Sequence, residues 1–492
     1  MPRPAVSLRR YALPSPVDLV FILFLFAVPL VRGWQVVNTD GDLGRHLRVG
    51  ETILSEGALF HTDRFSHTMA GEPFVPYEWL SEVLFAVVHR LAGLAGVVVL
   101  TGLILAATYG LVAWLLQRHG VSPLAAMLTA VAAGAVGAVH WLARPHLFTL
   151  LGAVLTLWLL ERGNRRAWPA AALFALWANL HGGFLYGLVL IALVVAGDLA
   201  EARWGSDRER WLGGARGHLV MLGAALAGTL VTPAGPALLR HVVGYLGKSY
   251  LVDNTAEYQS PDFHAVYGRV FLVILIGAIA ALALSGRRPT YPRLLLVLAN
   301  IAFALMSIRN IPLFGVIALP AIALHLAGRS GSAGPAPRTA TAGAVADLGT
   351  GAWSAAALLA VGLMLASPAR GLFRASYDPA VFPVAAVGKA REARLGGRLF
   401  NHFEWGGYVL YAWPEQRVFI DGQTDFYGER LTREYAALAE AGAGWRRRLS
   451  GLGISLVLLP PGAPLARALG AVREWEEWYR DGTAVVLRRK TP

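Results

Sequence analysis

The sequence is dominated by apolar runs, each close to the length that a helix needs to cross a lipid bilayer. A bilayer core takes about 20 helical residues. Only 15% of the residues are charged, against about 25% in soluble domains, which excludes a water-soluble enzyme. The runs therefore predict an α-helical polytopic membrane protein. We expect about 11 transmembrane helices, near residues 17–31, 96–116, 122–142, 146–160, 167–180, 184–200, 217–233, 269–285, 293–308, 311–327 and 351–367.

Arginines in the connecting segments predict which side of the membrane each segment faces. The first apolar run follows Arg3, Arg9 and Arg10, which is the layout of a signal anchor, so we predict a retained first helix with a cytoplasmic N-terminus. The positive-inside rule then makes alternate connections cytoplasmic, for example 162–166. The other connections, beginning with a first outer loop at 38–78, face outward. With eleven helices, the C-terminal region also lies outside the cytoplasm.

Two segments depart from the pattern of spans. Residues 78–91 are apolar but contain two glutamates, and a span at this point would place Arg162 outside. We therefore predict an interfacial amphipathic helix there. Residues 328–349 consist mainly of Gly, Ser, Ala, Pro and Thr, a composition typical of a flexible linker, which the topology places in the cytoplasm. The transmembrane domain is thus expected to comprise residues 1–367.

A change of pattern after about Ser376 predicts a second, smaller domain at 376–492. Short strand-like runs bounded by Gly, Pro or Asp alternate there with helical stretches, which is typical of an α/β domain. The Asp481-Gly482 pair predicts a final hairpin turn. The expected strands are 398–401, 418–420, 454–459 and 484–487, and the expected helices are 380–394, 404–412, 429–442 and 463–472.

Charge and cysteine content exclude several classes of function. The net charge is +13, but the basic residues are spread between the apolar runs and form no contiguous patch, so nucleic acid is not an expected partner. The chain contains no cysteine, which excludes disulfides, thiolate nucleophiles and Cys-ligated metals. No internal repeat is visible in the sequence, so an inverted-repeat transporter has no support.

Polar residues collect on the connections that are predicted to face outward. Ionisable groups at membrane depth are costly and usually face a cavity or a partner, so we expect these residues to share one cavity. A carboxylate there could deprotonate a hydroxyl acceptor as general base, and the planar guanidinium of arginine suits a lipid phosphate. The residues are Asp40, Asp42, Arg45, His46, His61, Asp63, His67, His140, Arg144, His146, Asn179, His181, Asp253, Glu257, Asp262, His264, Arg309 and Asn310.

The first outer loop resembles that of a known family in the order of its elements. The stretch DLGRH at 42–46 leads into a predicted amphipathic helix at 44–55, SEG follows at 55–57, and the interfacial helix begins with YEWL at 77–80. This order resembles the GT-C glycosyltransferases, polytopic enzymes that move a sugar from a polyprenyl-phosphate carrier to an acceptor outside the cytoplasm. In the C-terminal domain, NHFEWGGY at 401–408 and FIDGQTD at 419–425 resemble a bacterial subgroup of unknown substrate.

The resemblance implies a GT-C fold in a bacterial inner (plasma) membrane and an inverting, metal-independent sugar transfer. The expected partners are a polyprenyl-phosphate sugar donor, membrane lipid, and an acceptor that is a lipid, a polysaccharide or a protein. No cofactor is implied, and a divalent cation stays open. The family's first-loop catalytic carboxylate corresponds to Asp42, with Asp40 as the fallback. Both aspartates also suit capping of a helix that begins near Leu43, which is the structural alternative.

Seven further residues are candidates for binding the substrates: Arg45, His46, Glu78, Arg144, His146, His181 and Arg309. Structural alternatives stay open for several of them. Pro145 suits the first turn of a helix for local reasons, His181 lies at a helix break, and Arg309 could snorkel to the membrane surface. His46 lies four residues after Asp42, so the two could meet on one helix face, and a metal site is the least favoured of its roles.

Several other acidic residues are expected to have structural roles. Asp253 and Glu257 could bind a cation or the acceptor, but a solvated loop is the favoured interpretation. Asp421 and Asp425 follow a strand end, where α/β domains tend to bind ligands, yet the structural interpretation is narrowly favoured for them and for the glycine pair at 406–407.

Two functions of other classes compete with sugar transfer. A transporter or flippase of lipid-linked sugars would need paired polar residues deep in several helices, whereas these spans are nearly free of charge. A non-catalytic membrane scaffold with an outer binding domain would leave the outward polar residues scattered in the fold. The arrangement of those residues therefore distinguishes the scaffold from an enzyme.

Overall fold

A computed structural model describes residues 13–162, 167–246, 249–253, 255–328 and 351–490. Three predicted features lie outside these residues: the linker at 328–349 apart from Gly328, the N-terminal arginines Arg3, Arg9 and Arg10, and most of the connection 162–166 that is predicted to be cytoplasmic.

Helices make up most of the described chain before the C-terminal domain, and local signals set where several of them begin. Ser15 and Ser122 cap α1 and α5, and a proline occupies the first turn of each. The helices are α1 Pro16–Val31, α2 Gly33–Asn38, α3 Asp42–Glu56, α4 Trp79–Arg118, α5 Pro123–His140, α6 Leu147–Glu161, α7 Trp168–Leu180, α8 Phe184–Trp204, α9 Arg208–Thr229, α10 Pro236–Leu246, α11 Ser249–Asp253, α12 Val266–Ala283, α13 Tyr291–Met306, α14 Ile308–Leu326 and α15 Ala352–Leu365.

Many of these helices are apolar enough for a membrane environment. Among the described residues, α4, α5, α8, α12 and α14 are long and apolar enough to cross a membrane, and α1, α6, α7, α13 and α15 are shorter apolar helices. The chain is therefore a membrane protein. The eleventh predicted span, near 217–233, corresponds to α9, which includes Arg216 and His218 and is not among these apolar helices. The number of about 11 spans therefore stays a prediction.

Helix α4 is broken at Gly93, whose φ of 62° and ψ of −159° lie outside the helical region. Glycine adopts a positive φ without the steric cost that a Cβ imposes. The part of α4 before the break contains most of the predicted interfacial segment 78–91, and the part after it contains the predicted span at 96–116. The change of direction at Gly93 thus separates these two segments.

The C-terminal domain is built on a four-stranded mixed sheet in the order β1-β2-β4-β3. The first two strands pair in parallel, and the other two pairs are antiparallel. The turn at 481–484 joins β3 to β4, as the Asp481-Gly482 pair predicts. The strands are β1 Arg398–Asn401, β2 Ile454–Leu459, β3 Trp475–Arg480 and β4 Val485–Arg489, and the helices are α16 Val384–Glu392, α17 Gly406–Ala412, α18 Thr424–Ala439, α19 Trp445–Gly451 and α20 Pro464–Gly470.

Two details of the predicted sheet are wrong. Residues 418–420 form no strand of the sheet: Val418 makes an isolated bridge to Ser66, and the side chain of Asn401 bonds the backbone of Phe419 and Ile420 in place of a ladder. The sequence prediction also lacks β3, because the charged pair Glu476-Glu477 interrupts its apolar residues.

The C-terminal domain packs directly on the first loop at two close backbone contacts, between Gly44 of α3 and Gly407 of α17 and between Gly41, just before α3, and Glu404. A Cβ on Gly44 would lie 2.7 Å from the carbonyl carbon of Gly407, and a Cβ on Gly41 would lie 2.8 Å from that of Glu404. These separations are much shorter than van der Waals contact, so only glycine allows the two backbones to meet. Residues of both parts, such as Leu43 and Tyr408, belong to one continuous hydrophobic core.

Candidate functional site

Arg144 is surrounded by three carboxylates from two other segments of the fold. It lies between α5 and α6, and its Nη2 is 2.6 Å from Oδ2 of Asp42. Its Nη1 is 3.4 Å from Oδ2 of Asp40 and 2.5 Å from Oε1 of Glu257. Burial alone would lower the pKa of Arg144, but these three negative charges raise it well above its ordinary value. Arg144 therefore stays charged and joins the three segments at one point.

Asp40 and Asp42 have different local roles at the start of α3. The backbone N–H of Asp42 donates to Oδ1 of Asp40 at 2.8 Å, so the side chain of Asp40 satisfies a free donor at the helix N-terminus. Asp42 is the first helical residue, and its carboxylate contacts Arg144. Burial raises the pKa of Asp40 to about 6, against the attraction of Arg144. The capping interpretation thus fits Asp40, and Asp42 is the carboxylate that faces the guanidinium.

Glu257 connects a second arginine to this group. Its Oε2 lies 3.5 Å from Nη1 of Arg309 and 3.9 Å from Nε2 of His140, and Arg309 also donates to the hydroxyl of Tyr258 at 2.8 Å. Burial alone would raise the pKa of Glu257, but Arg144 and Arg309 hold it well below its ordinary value. The expectation that Glu257 is solvated is therefore wrong. We call Asp40, Asp42, Arg144, Glu257 and Arg309 the Arg144 cluster.

A second group of polar residues lies where α3 meets the start of α4. Nδ1 of His46 is 3.2 Å from Oε1 of Glu82 and 4.0 Å from Oε2 of Glu78. Burial alone would lower the pKa of His46, but its contact with Glu82 and the charge of Glu78 raise it. Burial raises the pKa of Glu78 to about 7. We call His46, Glu78 and Glu82 the His46 cluster.

His181 approaches the His46 cluster from the connection between α7 and α8. Its Nδ1 accepts hydrogen bonds from the backbone N–H of Gly183 at 3.0 Å and from the hydroxyl of Thr149 at 2.7 Å. The proton of the neutral ring is therefore assigned to Nε2, which lies 3.5 Å from Oε1 of Glu78. Burial and the charge of Arg309 lower the pKa of His181 well below its ordinary value, so the ring is a neutral donor.

Arg45 links the His46 cluster to the C-terminal domain. Its Nε lies 3.3 Å from Oδ1 of Asp421, its Nη1 lies 3.6 Å from Oε1 of Glu82, and its Nη2 donates to Oε1 of Gln423. Burial alone would lower the pKa of Arg45, but the negative charges of Asp421 and Glu82 raise it above its ordinary value. Asp421 is itself buried and accepts a hydrogen bond from Tyr427. The interpretation of Asp421 as structural agrees with this arrangement.

Two further residues of the C-terminal domain adjoin Asp42. A Cβ on Gly422 would lie 2.7 Å from the carboxyl carbon of Asp42, so the Gly422 backbone covers one side of that carboxylate. Glu404 packs on Gly41, between the two aspartates. Burial and the charges of Asp42 and Asp40 raise the pKa of Glu404 to about 7.

His146 completes the surroundings of Arg144. Its Nε2 donates to the backbone carbonyl of His140 at 2.9 Å, and the two imidazole rings are 5.1 Å apart. Burial, together with the positive charge of Arg144, lowers the pKa of His146 well below its ordinary value. His146 is therefore neutral beside the charged cluster.

Solved structures of known enzymes resemble this chain over most of its length. The oligosaccharyltransferase of Archaeoglobus fulgidus in its apo form has a TM-score of 0.55 at 13% sequence identity, over 90% of this chain and 69% of that chain. The arabinofuranosyltransferase AftD from Mycobacteria has a TM-score of 0.52 at 14% identity, over 99% of this chain and 40% of that chain. Both are glycosyltransferases of the GT-C type.

The chain has the GT-C fold. No family model matches the sequence, and no curated protein matches it. The GT-C fold therefore rests on the three-dimensional arrangement, in agreement with the resemblance of the first loop.

Within this GT-C fold, all nine predicted site residues lie in or next to the two clusters. Two other residues of the loop predicted to face outward do not join them: Asp63 accepts hydrogen bonds within its own turn from Ser66, and His67 contacts the backbone carbonyl of Leu399. The sequence prediction lacks the roles of Glu82, Glu404, Gly422 and Gln423. Glu82 could have been found from its spacing, because it lies one helical turn after Glu78 on the same face.

Proposed function

We propose that this chain transfers a sugar from a polyprenyl-phosphate donor to an acceptor outside the cytoplasm, with inversion at the anomeric carbon. The observation that carries the proposal is the Arg144 cluster, which collects carboxylates and arginines at one place in a GT-C fold. The archaeal oligosaccharyltransferase AglB has been solved with a bound dolichol-phosphate, which supports a lipid-linked phosphate as the donor class. The proposed location is a bacterial inner membrane, with the C-terminal domain outside.

Asp42 is the proposed general base. The acceptor hydroxyl gives its proton to the Asp42 carboxylate while its oxygen forms a bond to the anomeric carbon. The bond between that carbon and the phosphate oxygen breaks, and its electron pair leaves with the phosphate. A single displacement of this kind inverts the configuration, and general base catalysis contributes about 10²- to 10⁴-fold to the rate. Asp40 is the fallback, although its side chain already caps α3.

Arg309 and Arg144 are the proposed partners of the leaving phosphate. The side chain of Arg309 is 29% exposed, and an arginine has five N–H donors, so it can bind phosphate as well as Tyr258 and Glu257. A phosphate oxygen would replace one of the carboxylates that contact Arg144. Stabilisation of developing charge by fixed donors is often the largest catalytic contribution.

The remaining candidates surround this reaction centre. We assign His146, as a neutral imidazole, to a hydrogen bond with a sugar hydroxyl, and His181 to the orientation of Glu78 through its Nε2. Glu78 and His46 form the adjacent wall. The guanidinium of Arg45 is engaged by Asp421, Gln423 and Glu82, and its proposed role is to position α3 rather than to bind the donor.

The convergence of these groups favours an enzyme over the scaffold, in which they would be scattered. We also assign no cofactor to the transfer. Arg144 already supplies the positive charge that the carboxylates of its cluster need.

The experiment uses inverted and right-side-out membrane vesicles with a panel of radiolabelled polyprenyl-phosphate sugars. Asp42→Asn keeps the size of the side chain but removes the base, and we expect it to lower label transfer by about 10²-fold or more. Asp253→Asn is the matched control, because Asp253 is exposed and should leave transfer unchanged. Full transfer by Asp42→Asn would overturn the mechanism. Label that crosses the membrane unchanged, equally in both forms, would indicate transport instead.

A further inference from the structure

The His46 cluster places one imidazole nitrogen and two carboxylates where the sugar transfer does not need them as reacting groups. One ligand atom from each of His46, Glu78 and Glu82 lies within 4.8 Å of the other two. Nδ1 of His46 lies 3.2 Å from the oxygen of Glu82 and 4.0 Å from that of Glu78. Ligand atoms that each lie 2.0–2.2 Å from a tetrahedral ion are roughly 3.3–3.6 Å from one another, and this value falls between the two observed distances. Small side-chain movements would bring all three atoms onto one ion.

The charge around the cluster is one that a divalent cation can balance. Glu78, Glu82 and Asp421 contribute three carboxylates, and Arg45 is the guanidinium that contacts two of them, at 3.6 Å and 3.3 Å. The side chains of Glu82 and Asp421 are 3% and 1% exposed, and charge at such burial is costly unless it is paired. Without a metal, a proton on His46 pairs with Glu82. A ligating imidazole is neutral, so a divalent cation would take the place of that proton.

His181 supplies the kind of outer contact that ligating carboxylates have. Its Nδ1 is fixed as an acceptor by Gly183 and Thr149, so its Nε2–H faces Oε1 of Glu78. The other carboxylate oxygen, Oε2, is the one near His46. Metal-binding carboxylates are usually hydrogen-bonded by such partners, which orient them toward the ion. Glu78 is therefore held with one oxygen toward His181 and the other toward the cluster.

We propose that His46, Glu78 and Glu82 bind a divalent transition-metal ion, and that Zn²⁺ suits this set of one nitrogen and two oxygen donors. Three protein ligands leave one position for a water molecule. The ion joins α3 to α4, one helical turn from Asp42, and so fixes the helix that presents the proposed base. It is separate from the Arg144 cluster and takes no part in the proposed displacement.

The test measures metal bound to the full-length chain, purified in detergent without a polyhistidine tag. The protein is stripped with a chelator, dialysed to equilibrium against a series of Zn²⁺ concentrations, and analysed for zinc per chain by mass spectrometry. We expect one zinc ion per wild-type chain. His46→Gln and Glu78→Gln should each weaken binding by more than about 100-fold, because removal of an outer partner alone costs 10- to 100-fold.

Glu257→Gln is the matched control, because it removes a carboxylate of the Arg144 cluster instead and should leave zinc binding unchanged. X-ray absorption at the zinc edge of wild-type protein adds a measurement that needs no variant, and we expect one imidazole with oxygen ligands. Three results would each overturn the proposal: no stoichiometric zinc on the wild-type chain, equal binding by both ligand variants, or loss of binding in Glu257→Gln. The first result would mean that the ion pair between His46 and Glu82 joins α3 to α4 without a metal ion.

Discussion

The close contact between α3 and α17 predicts that a single methyl group at position 44 separates the two parts of the chain. In Gly44→Ala, the new Cβ would lie 2.7 Å from the carbonyl carbon of Gly407 and 3.1 Å from the nitrogen of Tyr408, where ordinary contact begins near 3.4 Å. All of these atoms belong to the backbone, so no change of rotamer relieves the overlap. The helices must move apart, and the overpacking costs about 1–3 kcal/mol.

The matched control is Gly388→Ala, at an exposed position of helix α16, where a Cβ meets nothing within 4 Å. Alanine at such a position stabilises a helix by about 0.5–1 kcal/mol. Gly44 also lies inside a helix, so this gain is common to both variants, and we expect Gly44→Ala to be less stable than the control by about 1–3 kcal/mol, measured by thermal unfolding in detergent. Limited proteolysis should also release the C-terminal domain of Gly44→Ala first. Equal stability of the two variants would refute the packing argument.

Three other substitutions test the site itself. Asp40→Asn keeps the cap on α3 but removes a carboxyl whose pKa burial raises to about 6. The folded state holds the Asp40 proton more tightly than the unfolded state does, so wild type loses stability as the pH rises from about 4 to about 6. The melting temperature of wild type should therefore fall relative to that of the variant over this range, and the difference should stay constant above it. A difference that is constant across the whole range would contradict this. Arg45→Met leaves buried carboxylates unpaired, and we expect it to lower the free energy of unfolding by about 3–5 kcal/mol, measured by thermal unfolding. The control Arg64→Met removes an exposed ion pair and should lower it by less than about 1 kcal/mol. Arg309→Gln should lower kcat/KM for the lipid-linked donor about 10- to 100-fold in the radiolabel assay, and an unchanged value would remove Arg309 from the phosphate site.

The sequence predicts the helices and much of the Arg144 cluster because both depend on local patterns. Apolar runs mark helices wherever they occur, and Arg144 and Arg309 each come directly after a run that ends on the same predicted side as Asp42. Once the helices bundle, alternate ends meet, so these side chains converge. The strand at Ile454–Leu459 and the turn at 481–484 are predictable for the same reason.

The contacts of Arg45 could not be predicted in this way. The helix α3 reads as amphipathic, which implies one buried face, yet Arg45 is 4% exposed. Its partner Gln423 lies 378 residues further along the chain. The spacing of apolar residues within α3 does not indicate that a second surface covers Arg45. The contacts of Glu257 are unpredictable for a similar reason, since its partners Arg144 and Arg309 lie on other segments of the fold, after α5 and at the start of α14.

The position of Gly422 against Asp42 has a consequence for the biogenesis of this membrane protein. Asp42 and Arg144 are synthesised early, but the backbone that covers the Asp42 carboxylate follows the last of the long helices. A nascent chain that has inserted its helices still holds an incomplete site. Under the proposed function, turnover of lipid carriers is expected to wait until the final domain has crossed the membrane and docked, and a chain truncated before that point is expected to be inert.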